Sequence, residues 1–148
     1  MKRILATLSV VALLGAGCWD KPAAPQVPET VAYDNISDAI KDTWKMTSMK
    51  QGSAAAKNVS EFDLTITFDG TKMSGKVCNN MSGDYTVDEN DVLKAPTVIS
   101  TKMFCAGVMG EAESAFTGSL ASGYKLSHEN NVLTMTSDDG VVLVFSRQ

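Results

Sequence analysis

Phe62, Leu64, Ile66 and Phe68 alternate with Asp63, Thr65, Thr67 and Asp69, the period-two signature of a strand with one dry face and one wet face. Asp69-Gly70 then supplies a hairpin turn, and Met73, Gly75 and Val77 are the inward positions of its partner strand. The same rhythm recurs along most of the chain. Trp44, Met46 and Ser48 alternate with Lys45 and Thr47. Tyr85 and Val87 continue after a turn at Ser82-Gly83, another turn follows at Asp88 to Asp91, and Val98-Ile99 is a short strand or extended segment. Tyr124, Leu126 and His128 lead to a turn at Glu129-Asn130-Asn131. Leu133 and Met135 lead to Asp138-Asp139-Gly140, and Val141, Leu143 and Phe145 close the chain. About seven antiparallel strands are expected.

One segment departs from this period. Cys105, Met109, Ala112, Phe116 and Leu120 are spaced by three and four, which places them along one helical stripe, and Gly123 stands near a C-cap position. A shorter helical turn is predicted over Ile36 to Lys41, capped by Asn35 or Ser37. Gln51 to Lys57 is either weakly helical or a surface loop. The predicted class is α+β: an antiparallel sheet or small, partly open β-barrel with one packed helix over about 108–121, covering one face or plugging one end. No internal repeat interrupts the folded part, residues 34–148.

The first residues follow another logic. Lys2 and Arg3 precede the apolar run Ile4 to Leu14, which is signal-like and too short to span a bilayer. Gly15-Ala16-Gly17-Cys18 resembles the lipobox of bacterial lipoproteins, with Gly15 where leucine is usual and Leu14 one step back. That resemblance implies a signal peptide over 1–17 and a diacylglycerol thioether on Cys18. An ordinary secretory signal cut near Gly17 is the alternative. Pro22, Pro25 and Pro28 bias residues 18–33 towards an extended polyproline tether. Trp19, rather than aspartate, follows the cysteine, and by the same resemblance this implies an outer-membrane lipoprotein facing the periplasm, held to the membrane by its lipid.

Charge and cysteine count narrow the partners. Without Lys2 and Arg3 the chain has 11 basic and 17 acidic residues, a net of −6, and no basic run, which argues against nucleic acid. Of the three cysteines, Cys18 belongs to the anchor. Cys78 and Cys105 remain as an even pair, which in an exported protein reads as a disulfide. Closing a loop of about 28 residues is worth roughly 3–4 kcal/mol in the chain-entropy account. The alternative, a free thiol pair for redox chemistry or a metal, lacks the C-x-x-C spacing of a redox motif.

The middle of the chain carries a family resemblance. Ser74-Gly75-Lys76-Val77-Cys78-Asn79-Asn80-Met81-Ser82-Gly83-Asp84-Tyr85, then Ser100-Thr101-Lys102-Met103-Phe104-Cys105, then Glu113 to Phe116 and Leu120 resemble the META domain, the HslJ-like family of envelope lipoproteins. Trp44, Leu133, Gly140, Leu143 and Phe145 fit as well, and Val77 stands where many members have glycine. The resemblance implies a small, envelope-associated domain linked to stress or antibiotic tolerance, with no established catalytic residues. The shared residues read as structural: Gly83 and Asn79 in tight or left-handed backbone positions, Tyr85, Phe116 and Trp44 in the core, and Met103 packed around the disulfide.

Catalytic chemistry has little to draw on. His128 is the single histidine, so any Ser-His-Asp or Cys-His site would have to use it, and it sits in a strand-like segment beside a turn. Asp88-Glu89-Asn90-Asp91 is oxygen-rich but lacks calcium-loop spacing, and Glu111 and Glu113 are expected to complement the helix dipole. Met46 and Met49, and the group of Met103, Met109 and Cys105, offer soft ligands for copper(I), yet Met73, Met103, Met109 and Met135 fall at core-facing positions. The expectation is a non-enzymatic envelope lipoprotein without cofactor or metal, a binding or scaffold module in stress or antibiotic tolerance with an envelope protein as partner. An inhibitor of a lysozyme-like enzyme and a copper(I)-binding protein are the alternatives. For the inhibitor, Ser82-Gly83-Asp84-Tyr85 is one residue short of the Ser-Gly-x-x-Tyr loop such proteins use.

Overall fold

The structure is a computed structural model that describes residues 35–148; the signal segment, Cys18 and the proline tether lie outside the described residues. A single helical turn, α1 (Ile36–Ala39), is capped by the Asn35 side chain, which accepts the Asp38 N–H. Strands β1 (Thr43–Lys50), β2 (Lys57–Asn58), β3 (Thr65–Phe68), β4 (Lys72–Lys76), β5 (Asn80–Asp84), β6 (Thr86–Val87), β7 (Val92–Lys94) and β8 (Val98–Ser100) follow. Helix α2 (Gly107–Gly118) precedes β9 (Tyr124–Glu129), β10 (Val132–Thr136) and β11 (Val142–Arg147). All pairings are antiparallel, in the order β6-β7-β9-β10-β11-β1-β3-β4-β5-β8, with β2 beside β1.

The two ends of that order belong to one hairpin. β5 runs into β6 through Tyr85, and β7 runs into β8 through Ala95-Pro96-Thr97. Between the pairs Gly83↔Val98 and Thr86↔Lys94 one arm has two residues and the other three, so the hairpin bulges there, as a sheet does where it must bend. The sheet thus curls into a half-barrel, and the end of α2 reaches the bulge: Ala95 N–H donates to the Leu120 carbonyl at 2.8 Å. These interruptions divide the expected seven or so strands into eleven shorter ones.

Alternation predicts the core well. Trp44, Met46, Leu64, Ile66, Phe68, Met73, Val77, Leu126, Leu133, Met135, Leu143 and Phe145 all point inward and are buried. α2 contributes Ala112, Ala115 and Phe116. Phe116 stacks on Tyr124 and meets Phe145 edge-on, with centroids 6.5 and 6.4 Å apart. Burial pushes the Tyr124 phenol up to about 12, and its hydroxyl donates to the carbonyls of Ala115 and Phe116, so this buried donor is satisfied. The helix covers 107–118 and Gly123, with φ +121°, receives the chain after it.

Two local expectations are corrected and two are narrowed. The register shifts between Met46 and Ser48, so Met49 and not Ser48 becomes the next buried position of β1; a bulge reverses alternation. Ser82-Gly83 is the middle of β5, not a turn, and Gly83 is needed because a Cβ there would lie 2.4 Å from the Thr97 carbonyl oxygen. Of the two alternatives for Asn79, the tight position holds: it lies in the bend between β4 and β5, and among the described residues the left-handed ones besides glycine are Asp91 and Asn130, both in strand-connecting turns. Gln51 to Lys57 is an exposed loop entering β2.

Candidate functional site

The chain passes from β4 to β5 through Val77-Cys78-Asn79, and all three residues are buried. Burying an asparagine is unfavourable unless its amide is bonded, and this one is fully used. Asn79 backbone N–H donates to Glu113 Oε2 at 2.6 Å, and Nδ2 donates to Glu113 Oε1 at 2.9 Å and to the Met103 carbonyl at 3.2 Å. Its Oδ1 accepts the Met103 N–H at 2.7 Å and the Thr101 hydroxyl at 2.8 Å. Two of these bonds reach Glu113 through the side-chain amide and the backbone N–H together, which fixes the carboxyl against the turn. Cys78 and Cys105 are joined as a disulfide with Cα atoms 6.3 Å apart. Gly110 lets the helix start lie against this point, since a Cβ there would meet the Cys105 carbonyl oxygen at 2.2 Å.

This fastening holds a segment that itself buries little. Residues 101–106 contain neither turn nor bend, and all but Cys105 are exposed. Phe104 is 94% exposed, Met103 56%, and Ile99 on neighbouring β8 71%. Three of the four large exposed hydrophobic side chains among the described residues therefore fall within six positions, beside Lys102. Met103 does not pack around the disulfide. It projects from it, because Asn79 has taken its backbone and turned its side chain outward.

Glu113 was expected to serve the helix dipole. It lies beyond the first turn, on the face that meets Asn79, while Glu111 pairs with Lys57. The Glu113 carboxylate and both sulfurs lie within 4.8 Å of one another. With the sulfurs joined to each other they offer no thiolate, the form that ligates metal. Met46 and Met49 are buried and Met109 is half-buried.

Other polar groups close on themselves. Arg147 stacks 4.6 Å over Trp44, pairs with Asp42 and donates to the Ala39 carbonyl at 2.9 Å. His128 meets Trp44 edge-on at 5.6 Å and lies beside Arg147. Burial, and then the Arg147 charge, pushes its imidazole below the usual value. Ser119 and Ser137 both bond Asp139, tying the end of α2 to the β10–β11 turn. Asp88 accepts the Val92 and Asn90 N–H groups, chiefly the former, and these hold its carboxyl below the usual range, so the acidic stretch is a hydrogen-bonded turn. A cleft of about 430 Å³ opens at the hairpin bulge between Asp84, Tyr85, Thr86, Lys94, Pro96 and Thr97, with Ala121 at its side.

Residues 37–148 match the META domain family. The fold is similar to that of a protein from Burkholderia xenovorans solved by NMR, with 23% identity, a TM-score of 0.61, and coverage of 86% of this chain and 99% of that one. It is also similar to a duf4847 family protein from Bacteroides vulgatus ATCC 8482, a crystal structure with 13% identity, a TM-score of 0.55, and coverage of 77% and 98%. No curated protein matches the sequence.

Proposed function

The chain belongs to the META domain family, and we propose that it serves as a non-enzymatic binding or scaffold module of the bacterial cell envelope. In this reading Cys18 carries the lipid, residues 18–33 hold the domain off the outer membrane, and the ridge of Ile99, Met103 and Phe104 is the contact surface for an envelope protein, in support of stress or antibiotic tolerance. The observation that carries it is the pairing of a 94% exposed Phe104 with a backbone fastened from below by Asn79 and the disulfide. Clustered exposed apolar side chains on a folded domain mark interaction sites, and a rigid one loses little entropy on binding. The lysozyme-inhibitor alternative gains nothing from Ser82 to Tyr85, because Ser82-Gly83-Asp84 is strand β5 with Gly83 under Thr97, not a presented loop.

A photo-crosslinking residue at position 104, used in intact cells with mass spectrometry, is expected to capture one protein that the same residue at exposed Lys50 does not. Cys18→Ser is expected to move the chain from the membrane fraction to the soluble one. Identical capture profiles at both positions would remove the ridge from the reading. A wild-type chain found wholly soluble would remove the anchor.

A further inference from the structure

Resting on the reading of this ridge as a contact surface, we infer that residues 101–106 form a substrate-like loop that occupies the cleft of a serine endopeptidase with an apolar specificity pocket, with Phe104 as the side chain in that pocket. In an extended chain the N–H and C=O of one residue face one edge, and those of its two neighbours face the other. Both backbone groups of Met103 are taken by Asn79. Those of Lys102 and Phe104 therefore face away from the domain, and among the described residues they make no hydrogen bond. A peptidase of this class binds its substrate as an added strand. It bonds the backbone of the residue at the cleavage point and of the residue two before it, passes over the one between, and reads the first by its pocket. The loop leaves free what such an enzyme takes and occupies what it does not use.

Three further features suit retention rather than digestion. The segment is fixed before it binds: the Met103 N–H and C=O both bond the Asn79 side chain, and Ala106, which ends the segment, has φ −92° and ψ 155°, so much of the entropy of ordering is already spent. Gly107, with φ +60°, ends the extended run. The chain is also held on both sides of the Phe104–Cys105 bond, by Asn79 at Met103 and by Cys78 at Cys105. Hydrolysis there adds one water and leaves a carboxylate on Phe104 and an amine on Cys105. Because both new ends stay fastened to the same buried turn, loss of that water to remake the amide competes with release.

The test uses the full chain in detergent, disulfide intact, against chymotrypsin as the apolar-pocket enzyme and trypsin as the control. Competitive inhibition of chymotrypsin is expected, weakened about 10- to 100-fold by Phe104→Ala, as burial of one such side chain implies. Phe104→Lys, at a position whose side chain touches little of the fold, is expected to move inhibition from chymotrypsin to trypsin. Asn79→Ser, where it folds, is expected to convert the loop into a substrate cut after residue 104. The inference is overturned by no competition up to about 0.1 mM, a concentration that saturates interfaces of standard size, or by cleavage after Phe104 as fast as in a short peptide of the same sequence. Phe104-dependent binding to phosphatidylethanolamine vesicles without inhibition would overturn it in favour of a lipid surface. Capture of a protein other than a peptidase through position 104 would overturn it and leave the contact surface standing. Inhibition that follows the Phe104→Lys swap, with no capture in cells, would do the reverse.

Discussion

Two half-buried polar clusters fasten this domain, one joining Asn79 to Glu113 and one centred on Arg147, and they differ in what they hold. Around Arg147 of β11 the partners come from α1, the α1–β1 connection, β1 and β9, and the cluster ends on an apolar ring: the guanidinium covers Trp44, and His128 meets the same ring. It locks the start of the domain to its end. The Asn79 cluster has comparable bonding and also a covalent link, yet the segment it fixes leaves Phe104 and Met103 in water. Satisfied polar groups at a junction of elements are accounted for by stability. Rigidity given to a segment that buries almost nothing is not, and the contrast separates a cluster that ties the core together from one that fixes an exposed segment.

The largest test of the contrast is covalent. Replacing both Cys78 and Cys105 by alanine should cost about 3–4 kcal/mol, read as a lowered urea midpoint, while strand content by circular dichroism persists. A loss below about 1 kcal/mol would mean that the Asn79 cluster holds the turn unaided. Next in size, Arg147→Met should cost about 1–3 kcal/mol. The ion pair to the partly exposed Asp42 supplies little of that, and the stacking on Trp44 and the bond to Ala39 supply most. A smaller effect is read by pH. His128 has a folded pKa below its ordinary 6.5, so its contribution is complete above that value and is lost as pH falls through the folded pKa. The thermal midpoint should therefore drop on acidification below pH 6.5, and His128→Gln should flatten that slope. A second loss follows in stronger acid as Asp42 protonates, since the Thr43 N–H and then Arg147 hold its carboxyl below the usual range. The smallest expected effect is the most telling. Phe104→Ala should change stability by less than about 0.5 kcal/mol, and a larger loss would place Phe104 among the stabilising residues and dissolve the contrast.

Much of the first region was legible and little of the second. Leu64, Ile66 and Phe68, or Leu133 and Met135, announce their inward faces because a strand with one wet side has no other way to be written. The errors fell where a single contact across the chain overrides the local period. The register slip after Met46 depends on β11, and the glycine at 83 depends on the Thr97 carbonyl. Glu113 resembled any acidic residue near a helix start, and only its distance from Asn79 shows its task. The outward turn of Met103 and Phe104 was hidden for a simpler reason: hydrophobicity in a sequence signals burial, and the same residue types serve an exposed ridge. The signal that was present is the absence of a period, since Thr101 to Phe104 fits neither the strand alternation before it nor the helical stripe after it.

The opposition of Trp44 and Arg147 in neighbouring strands bears on how the domain comes to be folded. The first long strand finds its partner in the last, and Gln148 N–H donates to the Thr43 carbonyl at 3.0 Å. Closing the sheet therefore means closing a loop that spans almost the whole domain, the most unfavourable order of contacts a chain of this length has to make. No N-terminal fragment short of β11 supplies β1 with that neighbour. The hairpins of β3, β4 and β5 need no residue beyond Asp84, but the sheet closes around β1 only once β11 is free to pair with it.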